Sequence, residues 1–242
     1  MYSRRTILNG PDAVAHVFFR CHDRKMFLKP PAIKKFLLLL MAKNKRKYGI
    51  EIFSFNILDN HAHFLMRTRS AEGLGNFMRT VLSQLARAIN TYFERDSQAI
   101  RERFKSPVVG NQIYLKNLLQ YIMMNRMKVD KNRRPEADYF CSESWRLCPP
   151  YTEVRNPKNS EEEENNLLAN LLDHLDLLGV CKRSDTKGFI RKMISMGIES
   201  LQFLTAEIYE NAHTISDKLT QQQRGVMLSA MQRGRSPPPD VL

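Results

Sequence analysis

Apolar and polar positions along residues 13–68 switch between the periods of strands and helices. Residues 13–21, AVAHVFFRC, are rich in Val and Phe, which is typical of a strand. Residues 30–47 carry apolar side chains at positions i, i+3, i+4, i+7 and i+8, and this spacing predicts a helix that begins at a proline pair. Two β-type runs then flank Asp59-Asn60, a dipeptide that suits a tight turn, so residues 48–68 predict a hairpin.

The chain after this hairpin repeats the helix and strand patterns. Apolar residues recur at helical spacing after Ser70, which can act as the N-cap of a second helix. Residues 103–109, RFKSPVV, predict a short strand that Pro107 places at a sheet edge, and residues 111–128 predict a third helix. This order is typical of an α+β, ferredoxin-like fold with two helices on one face of an antiparallel sheet. The third helix is free to lie elsewhere, and the other sheet face is available for chemistry.

The composition changes at residue 150, which divides the chain into residues 1–150 and a helical accessory region at residues 151–242. In the second region, Ser160 can cap a helix whose first turn is rich in glutamate. The apolar stripe of this predicted helix is Leu167, Leu168, Leu171, Leu172 and Leu175. Further helical spacing and a proline-rich tail of disordered composition follow, at residues 189–211, 218–231 and 233–242.

The charge is divided between these two regions very unevenly. The chain has 242 residues, 43% of them hydrophobic, which excludes a disordered protein, and its formal net charge is +13. Residues 1–150 contain 27 Lys and Arg against 12 Asp and Glu, a net charge of +15, while residues 151–242 contain 11 against 13, a net charge of −2. Positive charge in the folded part predicts that this part itself binds a polyanion, nucleic acid or an acidic membrane surface.

The cysteines and the apolar runs bear on the cellular compartment. The four cysteines form no CxxC pair and no zinc-finger spacing, and no signal-peptide pattern precedes them, which favours reduced thiols in a cytoplasmic protein. The longest apolar run, residues 36–42, is far shorter than the ~20 residues that cross a bilayer, so we expect no membrane span. The cysteines are Cys21, Cys141, Cys148 and Cys181.

Two histidines, His61 and His63, lie one residue apart in the second strand of the predicted hairpin. Because side chains alternate along a strand, both imidazoles project from one face. Such a pair has two explanations: two ligands of one metal ion, or two ordinary core residues. The first explanation needs a third ligand and a chemical purpose for the metal.

The predicted third helix contains a candidate third ligand and a candidate nucleophile that a metal ion would assist. Tyr121 and Asn125 are four residues apart, so they share a helix face. Alone, the tyrosine suits packing and the asparagine suits a surface position. With the two imidazoles, however, the amide oxygen completes an open site for a divalent cation, and the phenol is a candidate nucleophile. A phenol with a pKa near ~10 attacks poorly at neutral pH, but Mg²⁺ or Mn²⁺ activates a phosphodiester for the attack.

Four motifs, in this order and spacing, resemble those of the single-tyrosine HUH transposases. They are HVFFRCHDR, NHAHFLM, RFKSPVV and YIMMNRMK. The resemblance covers roughly residues 13–145 and is strongest for the REP-associated branch of the insertion-sequence transposase-like family. HUH denotes His, a bulky apolar residue and His, and Ala62 is a small middle residue for this motif.

The resemblance implies the HUH endonuclease fold and a role for each residue of the candidate site. His61, His63 and Asn125 are the implied ligands of catalytic Mg²⁺ or Mn²⁺, and Tyr121 is the implied nucleophile. In this family the tyrosine attacks single-stranded DNA, forms a 5′-phosphotyrosyl link and frees a 3′ hydroxyl. The resemblance also implies a preference for hairpin-forming DNA, and it leaves a monomer and a homodimer both open.

Two positions depart from the family pattern. Members usually follow the helix asparagine with proline, where this chain has Arg126, and they often have proline before the Asn-His pair, where this chain has Asp59. Neither change removes a ligand or the nucleophile. Arg126 can continue the helix and add a phosphate contact.

Seven basic residues are candidates for contacts with DNA phosphates, although a run of charge also suits a solvated surface. They are Arg20, Lys105, Arg126, Lys128, Lys131, Arg133 and Arg134. His16 shares the strand face of Arg20 and is interpreted as structural. Three aromatic residues suit either base stacking or packing, namely Tyr139, Phe140 and Trp145.

The sequence therefore predicts a metal-dependent single-stranded DNA endonuclease and strand transferase, a transposase, whose catalytic and DNA-binding domain is residues 1–150. The alternative is a catalytically silent, domesticated transposase that binds DNA repeats and acts in regulation. A replication or conjugation initiator shares the mechanism, but the flanking motifs of those proteins do not occur in this sequence. Formation of a covalent adduct with DNA discriminates between the first two hypotheses.

Overall fold

The computed structural model describes residues 13–196, apart from residues 102, 129, 131 and 133 and the side chain of Lys128. The helix predicted at residues 218–231 and the predicted disordered tail lie outside this range. Of the helix predicted at residues 189–211, only the first part falls within it.

Three antiparallel strands form the sheet: β1 (Ala13–Arg20), β2 (Ile50–Ile57) and β3 (His61–Thr68). Their order is β1-β3-β2, so the strand that carries both candidate histidines is central. The β2–β3 hairpin closes with a hydrogen bond from the Leu58 N–H to the His61 carbonyl oxygen, at 2.9 Å. The predicted first strand and the predicted hairpin are confirmed.

The segment at residues 103–109 runs along the outer edge of β1 but is not a continuous strand. It meets β1 in two isolated antiparallel bridges, one at Lys105 and one at Val108. Pro107, between them, has no N–H to donate and interrupts the ladder. The prediction of a strand here is therefore wrong, while its position at the sheet edge is confirmed. The order across the sheet is therefore the edge segment, β1, β3 and β2. This is the arrangement of an α+β, ferredoxin-like sheet.

Two helices, α1 (Pro31–Lys45) and α2 (Ala71–Tyr92), pack together on one face of the sheet. Ser70 caps α2, as predicted, because its hydroxyl accepts a hydrogen bond from the Gly73 N–H. A Cβ at Gly73 would lie 2.9 Å from both Ser70 Oγ and the Tyr48 carbonyl oxygen, so this first turn requires glycine. The sheet contributes apolar side chains to the core on this face, among them Ala15, Val17, Ile52, Phe55, Phe64 and Met66.

The third predicted helix, α3 (Gln112–Met124), lies on the opposite face of the sheet. The Asn111 side chain caps it by accepting a hydrogen bond from the Tyr114 N–H at 2.7 Å. The α-helix ends four residues before the predicted boundary and continues as a 3-10 helix, Asn125–Lys128. Its apolar side packs into a second core with Phe53 and Leu65 of the sheet, so α3 covers part of the face that was available for chemistry.

The accessory region begins with helix structure close to the prediction. After the short α4 (Ser142–Leu147) comes α5 (Ser160–Ala169). The N-cap of α5 is Asn159, whose side chain accepts a hydrogen bond from the Glu162 N–H at 2.9 Å. The prediction of Ser160 as the cap is wrong by one residue. Asparagine and serine side chains can both cap a helix, and here Asn159 makes the capping hydrogen bond.

α5 ends earlier than the leucine spacing predicts, and contacts of Asp173 account for this early end. The Asp173 carboxylate accepts hydrogen bonds from the Ile52 N–H at 2.8 Å and from Lys45 Nζ at 2.6 Å. These bonds fix the chain to the bulge of β2, where the register shifts, and turn it away from the helix axis. Leu171 and Leu175 are consequently buried without belonging to an α-helix.

The described part of the accessory region packs directly on the rest of the protein. α5 packs on α1, while α6 (Thr186–Ser195) packs on α3. Leu168 joins the first core, and Ile190 joins the second. All four cysteines are free thiols. Among the residues that the structure describes, no helix has the length and apolar content to span a membrane. The division at residue 150 and the accessory role stay predictions.

Candidate active site

The two histidines of β3 lie on the face that α3 covers. Their ring centroids are 5.0 Å apart, and the ring planes are almost perpendicular, at 86°. His63 is buried, with 5% of its surface exposed, while His61 is half-buried at the end of the strand. The shared face follows from the alternation of side chains along β3.

A third imidazole, His16 of β1, lies beside this pair. Its Nε2 is 2.9 Å from Nδ1 of His63, and the two rings stack with centroids 5.1 Å apart. Burial lowers the pKa of His16 to about 3, so this imidazole is neutral at physiological pH. His16 was interpreted from the sequence as structural, and its contact with His63 was not predicted. The available signal was the alternation along β1, which places His16 on the same face as Arg20.

Tyr121 reaches the histidines from α3. Its ring is edge-on to His63, with centroids 5.6 Å apart, and edge-on to His16, with centroids 5.9 Å apart. The side chain is half-buried, so one part of the ring is accessible from outside. The structure thus places the predicted nucleophile, Tyr121, in contact with His63, one of the predicted metal ligands.

A buried asparagine of β2 fixes the end of the helix that carries Tyr121. Asn56 Nδ2 donates hydrogen bonds to the carbonyl oxygens of Ile122 at 2.9 Å and Met123 at 3.3 Å. In the sheet, Asn56 is the register partner of His63. The same strand pair therefore positions both the histidine and the last turn of α3, a link that sequence analysis missed.

Asn125 follows Tyr121 by one helical turn, at the C-cap of α3. It is only 5% exposed, and within the described part of the chain its Nδ2 has no hydrogen-bond partner. A buried amide nitrogen without a partner is costly, whereas the amide oxygen in the same place offers a lone pair to a cation. The residues therefore fit a divalent cation bound by two imidazoles and an amide.

No cluster of three or more His, Cys, Asp and Glu side chains in the described part of the chain can hold a metal ion. The predicted ligands of a cation at this site stay His61, His63 and the amide of Asn125. Such a small protein donor set leaves coordination positions for phosphate oxygens.

The part of the chain that carries these residues matches one protein family. Residues 11–125 match the family described as "Transposase IS200 like". This part of the chain belongs to the IS200-like transposase family. The matched range contains His61, His63 and Tyr121, and it ends at Asn125. All residues of the predicted chemistry thus lie within the transposase region.

Two further comparisons concern whole proteins. One solved structure that resembles this chain is a REP-associated tyrosine transposase bound to a REP hairpin, with a TM-score of 0.49 and 17% identity. The alignment covers 59% of this chain and 82% of that chain. No curated protein matches the chain significantly.

The two departures from the transposase motifs, Asp59 and Arg126, contact each other. Arg126 Nη1 is 3.1 Å from Asp59 Oδ1, and Arg126 Nε is 3.4 Å from Asp138 Oδ2. Lys34 Nζ donates to the same Asp59 oxygen at 2.7 Å. Burial raises the pKa of Asp59, but the hydrogen bond and charge of Lys34 and the charge of Arg126 outweigh it, and the pKa lies below its ordinary value.

This ion pair changes the interpretation of Arg126. The residue is only 9% exposed and its guanidinium faces carboxylates, which favours a structural role over the predicted phosphate contact. The pair joins the turn before His61 to the residue after Asn125. It therefore connects the two segments that carry the predicted metal ligands.

The other predicted DNA contacts are distributed unevenly around the site. Arg20 is exposed at the end of β1 and is the register partner of His61, so both side chains lie on one face. Lys105 is half-buried on the edge segment, opposite Phe18. Arg134 is largely exposed and 3.7 Å from Glu136. The Lys128 side chain and the whole of two further candidates, Lys131 and Arg133, lie outside the described residues.

The three aromatic residues near residue 140 pack against one another and the sheet. Trp145 is 5% exposed, its ring lies 5.2 Å from that of Phe55, and its Nε1 donates to the Tyr139 carbonyl oxygen at 2.7 Å. The Tyr139 and Tyr151 hydroxyls are hydrogen-bonded to each other. For Trp145, these contacts favour packing over base stacking.

Proposed function

We propose that this protein is a metal-dependent single-stranded DNA endonuclease and strand transferase with Tyr121 as its nucleophile. The observation that carries the proposal is the contact of the Tyr121 ring with His63 and His16, at 5.6 and 5.9 Å, inside an IS200-like transposase region. A tyrosine beside buried imidazoles in a basic domain suits phosphodiester chemistry.

The reaction makes and breaks one bond to phosphorus. The Tyr121 hydroxyl gives up its proton, and its oxygen forms a bond to the phosphorus of a DNA phosphodiester. The bond from phosphorus to the 3′ oxygen breaks, and that oxygen takes up a proton to become a free 3′ hydroxyl. A 5′-phosphotyrosyl link remains, and attack on it by another 3′ hydroxyl restores a phosphodiester, frees Tyr121 and completes strand transfer.

Each remaining residue of the site has one task in this scheme. His61, His63 and Asn125 would hold Mg²⁺ or Mn²⁺, which supplies charge neutralisation at a phosphate oxygen. Asn56 holds the last turn of α3 and thereby orients Tyr121. Arg20, exposed beside His61, is placed to bind a neighbouring phosphate. The net charge of +15 on residues 1–150 attracts single-stranded or hairpin DNA to this face.

A covalent-adduct assay tests the proposal. The protein is incubated with a labelled single-stranded hairpin oligonucleotide and Mn²⁺, and adducts are resolved on a denaturing gel. We expect an adduct with the wild type and none with Tyr121→Phe or with EDTA. Tyr114→Phe is the matched control on the same helix: Tyr114 is fully buried, and its hydroxyl has no partner among the described residues. That variant should retain the adduct.

The outcomes separate this proposal from its alternative. An adduct that survives Tyr121→Phe would exclude Tyr121 as the nucleophile. Tight binding of the hairpin without an adduct, under any divalent metal, would favour the catalytically silent repeat-binding protein. A monomer and a homodimer are both compatible with the proposed reaction.

A further inference from the structure

In both candidate metal ligands of β3, the Nδ1 atom lies within hydrogen-bond distance of another side chain. His63 Nδ1 is 2.9 Å from Nε2 of His16, and His61 Nδ1 is 2.6 Å from Oδ1 of Asn60. We propose that His16 and Asn60 are positioning residues that fix each ligand in the tautomer with its proton on Nδ1 and its lone pair on Nε2. This inference rests on the proposed metal-dependent function.

The tautomer of His61 follows from the orientation of Asn60. Asn60 Nδ2 donates a hydrogen bond to the Arg24 carbonyl oxygen at 3.1 Å, so its Oδ1 is the atom that faces His61. An amide oxygen can only accept a hydrogen bond. The proton in this contact therefore belongs to His61 Nδ1, and the lone pair of the neutral ring lies on Nε2.

His16 and His63 share a single proton in their contact, because a neutral imidazole has one donor and one acceptor. If His63 donates, its Nε2 keeps a lone pair for a metal. If His16 donates, His63 carries its own proton on Nε2 and cannot bind a metal through that atom. Metal-binding histidines generally donate their second N–H to a neighbouring group, which selects the first arrangement.

The surroundings hold the His16 ring in place. His16 is 4% exposed, and its backbone N–H donates to the Pro107 carbonyl oxygen at 2.9 Å. The Phe18 ring lies 4.9 Å from that of His16 and 5.6 Å from that of His63. The acceptor is thus held from the β1 side of the contact, by its own strand and by the edge segment beside it.

Measurement of the tautomers in the wild-type protein tests the inference without a substitution in the site. In ¹⁵N-labelled, metal-free protein at pH 8, two-bond ¹H–¹⁵N correlation spectra distinguish the two neutral forms of each ring. We expect His61 and His63 to carry their protons on Nδ1, and His63 with a proton on Nε2 would overturn the proposal. The chain has 6 histidines, and correlations from backbone to ring in the same labelled sample assign each of them.

Titration calorimetry with Mn²⁺ alone provides a second measurement. His16→Phe keeps an aromatic ring but removes the acceptor, and we expect it to weaken Mn²⁺ binding about 10- to 100-fold. His16→Gln supplies an amide oxygen as acceptor and should recover most of this affinity. His174→Gln, an exposed histidine that contacts Arg183, is the matched control and should bind as the wild type does.

The results distinguish this inference from the proposed function. Wild-type protein that binds no Mn²⁺ would overturn both. Binding by the wild type and equally by His16→Phe would overturn the positioning role alone. Thermal unfolding of each variant shows that it is folded, and rescue by His16→Gln separates a positioning role from simple packing, because glutamine does not restore the aromatic stack.

Discussion

The two faces of the central strand β3 differ in what they bury. Toward α1 and α2 the strand presents Ala62, Phe64 and Met66, all fully buried among apolar side chains. Toward α3 it presents Leu65, which joins the second core, and also His61 and His63, with polar groups of β1, β2 and α3 around them. One strand therefore combines a face whose burial stabilises the fold with a face whose groups are placed for chemistry.

The polar face depends on specific partners for its stability. A buried polar group costs free energy unless it is hydrogen-bonded, whereas an apolar side chain gains from burial without regard to direction. Asn56 and His16 are buried with directed hydrogen bonds, and the Asn125 amide nitrogen is buried without one among the described residues. The polar groups of the α3 face thus cost free energy that burial of the apolar core on the opposite face offsets.

The largest expected difference is between substitutions of two adjacent residues, Phe64 and His63, which lie on opposite faces of β3. Phe64→Ala should lower the free energy of unfolding by about 3–5 kcal/mol, because it leaves a cavity in the core. His63→Ala should cost less, about 1–3 kcal/mol, through the lost hydrogen bond with His16, yet abolish the DNA adduct. Urea unfolding and the adduct assay measure both. Equal stability losses, or an adduct with His63→Ala, would contradict the division between the faces.

The next largest effect concerns the anchor of α3. Asn56→Ala removes the donor to two carbonyl oxygens of the last helical turn and should destabilise the protein by about 1–3 kcal/mol. It should also slow adduct formation, since the turn that follows Tyr121 loses its anchor. Asn44→Ala is the control, because Asn44 donates to the Leu40 carbonyl oxygen of its own helix. A rate unchanged in Asn56→Ala would show that α3 is positioned by packing alone.

The apolar face was the easier one to predict from the sequence. The helical spacing of α1 and α2 and the cap at Ser70 are local signals. The β2–β3 hairpin is predicted by its turn dipeptide, Asp59-Asn60. The error at Ser160 arose because the neighbouring Asn159 caps α5. The length of α5 was wrong because a distant contact of Asp173 with β2 decides how the chain continues.

The candidate site was predicted in composition but not in arrangement. His61, His63 and Tyr121 could be selected from spacing and motif, because those signals lie within single elements. The contact of His16 with His63 depends on the register of β1 against β3, and a sequence alone does not fix that register. The pairing of the two departures from the family pattern is equally non-local.

A double-mutant cycle on Asp59 and Arg126 tests whether those two departures act together. We expect Asp59→Asn and Arg126→Met to be non-additive in urea unfolding, with a coupling energy of about 1 kcal/mol. The magnitude is modest because the Asp59 side chain is 32% exposed and solvent screens the pair. Lys34 contacts Asp59 as well, so a residual effect of Asp59→Asn should persist in the Arg126→Met background. Strict additivity would show that the ion pair contributes nothing.

The smallest effect compares one positive charge on each face of the sheet. Arg20, beside His61, and Lys43, on the solvent side of α1, are both exposed. Because release of counterions depends on phosphate contacts, Arg20→Ala should reduce the slope of log K against log salt concentration by about 1 for a hairpin oligonucleotide. Lys43→Ala makes the same change in net charge and should leave the slope unchanged. If both variants lower it equally, DNA is attracted by the overall charge rather than bound at the face of the histidines.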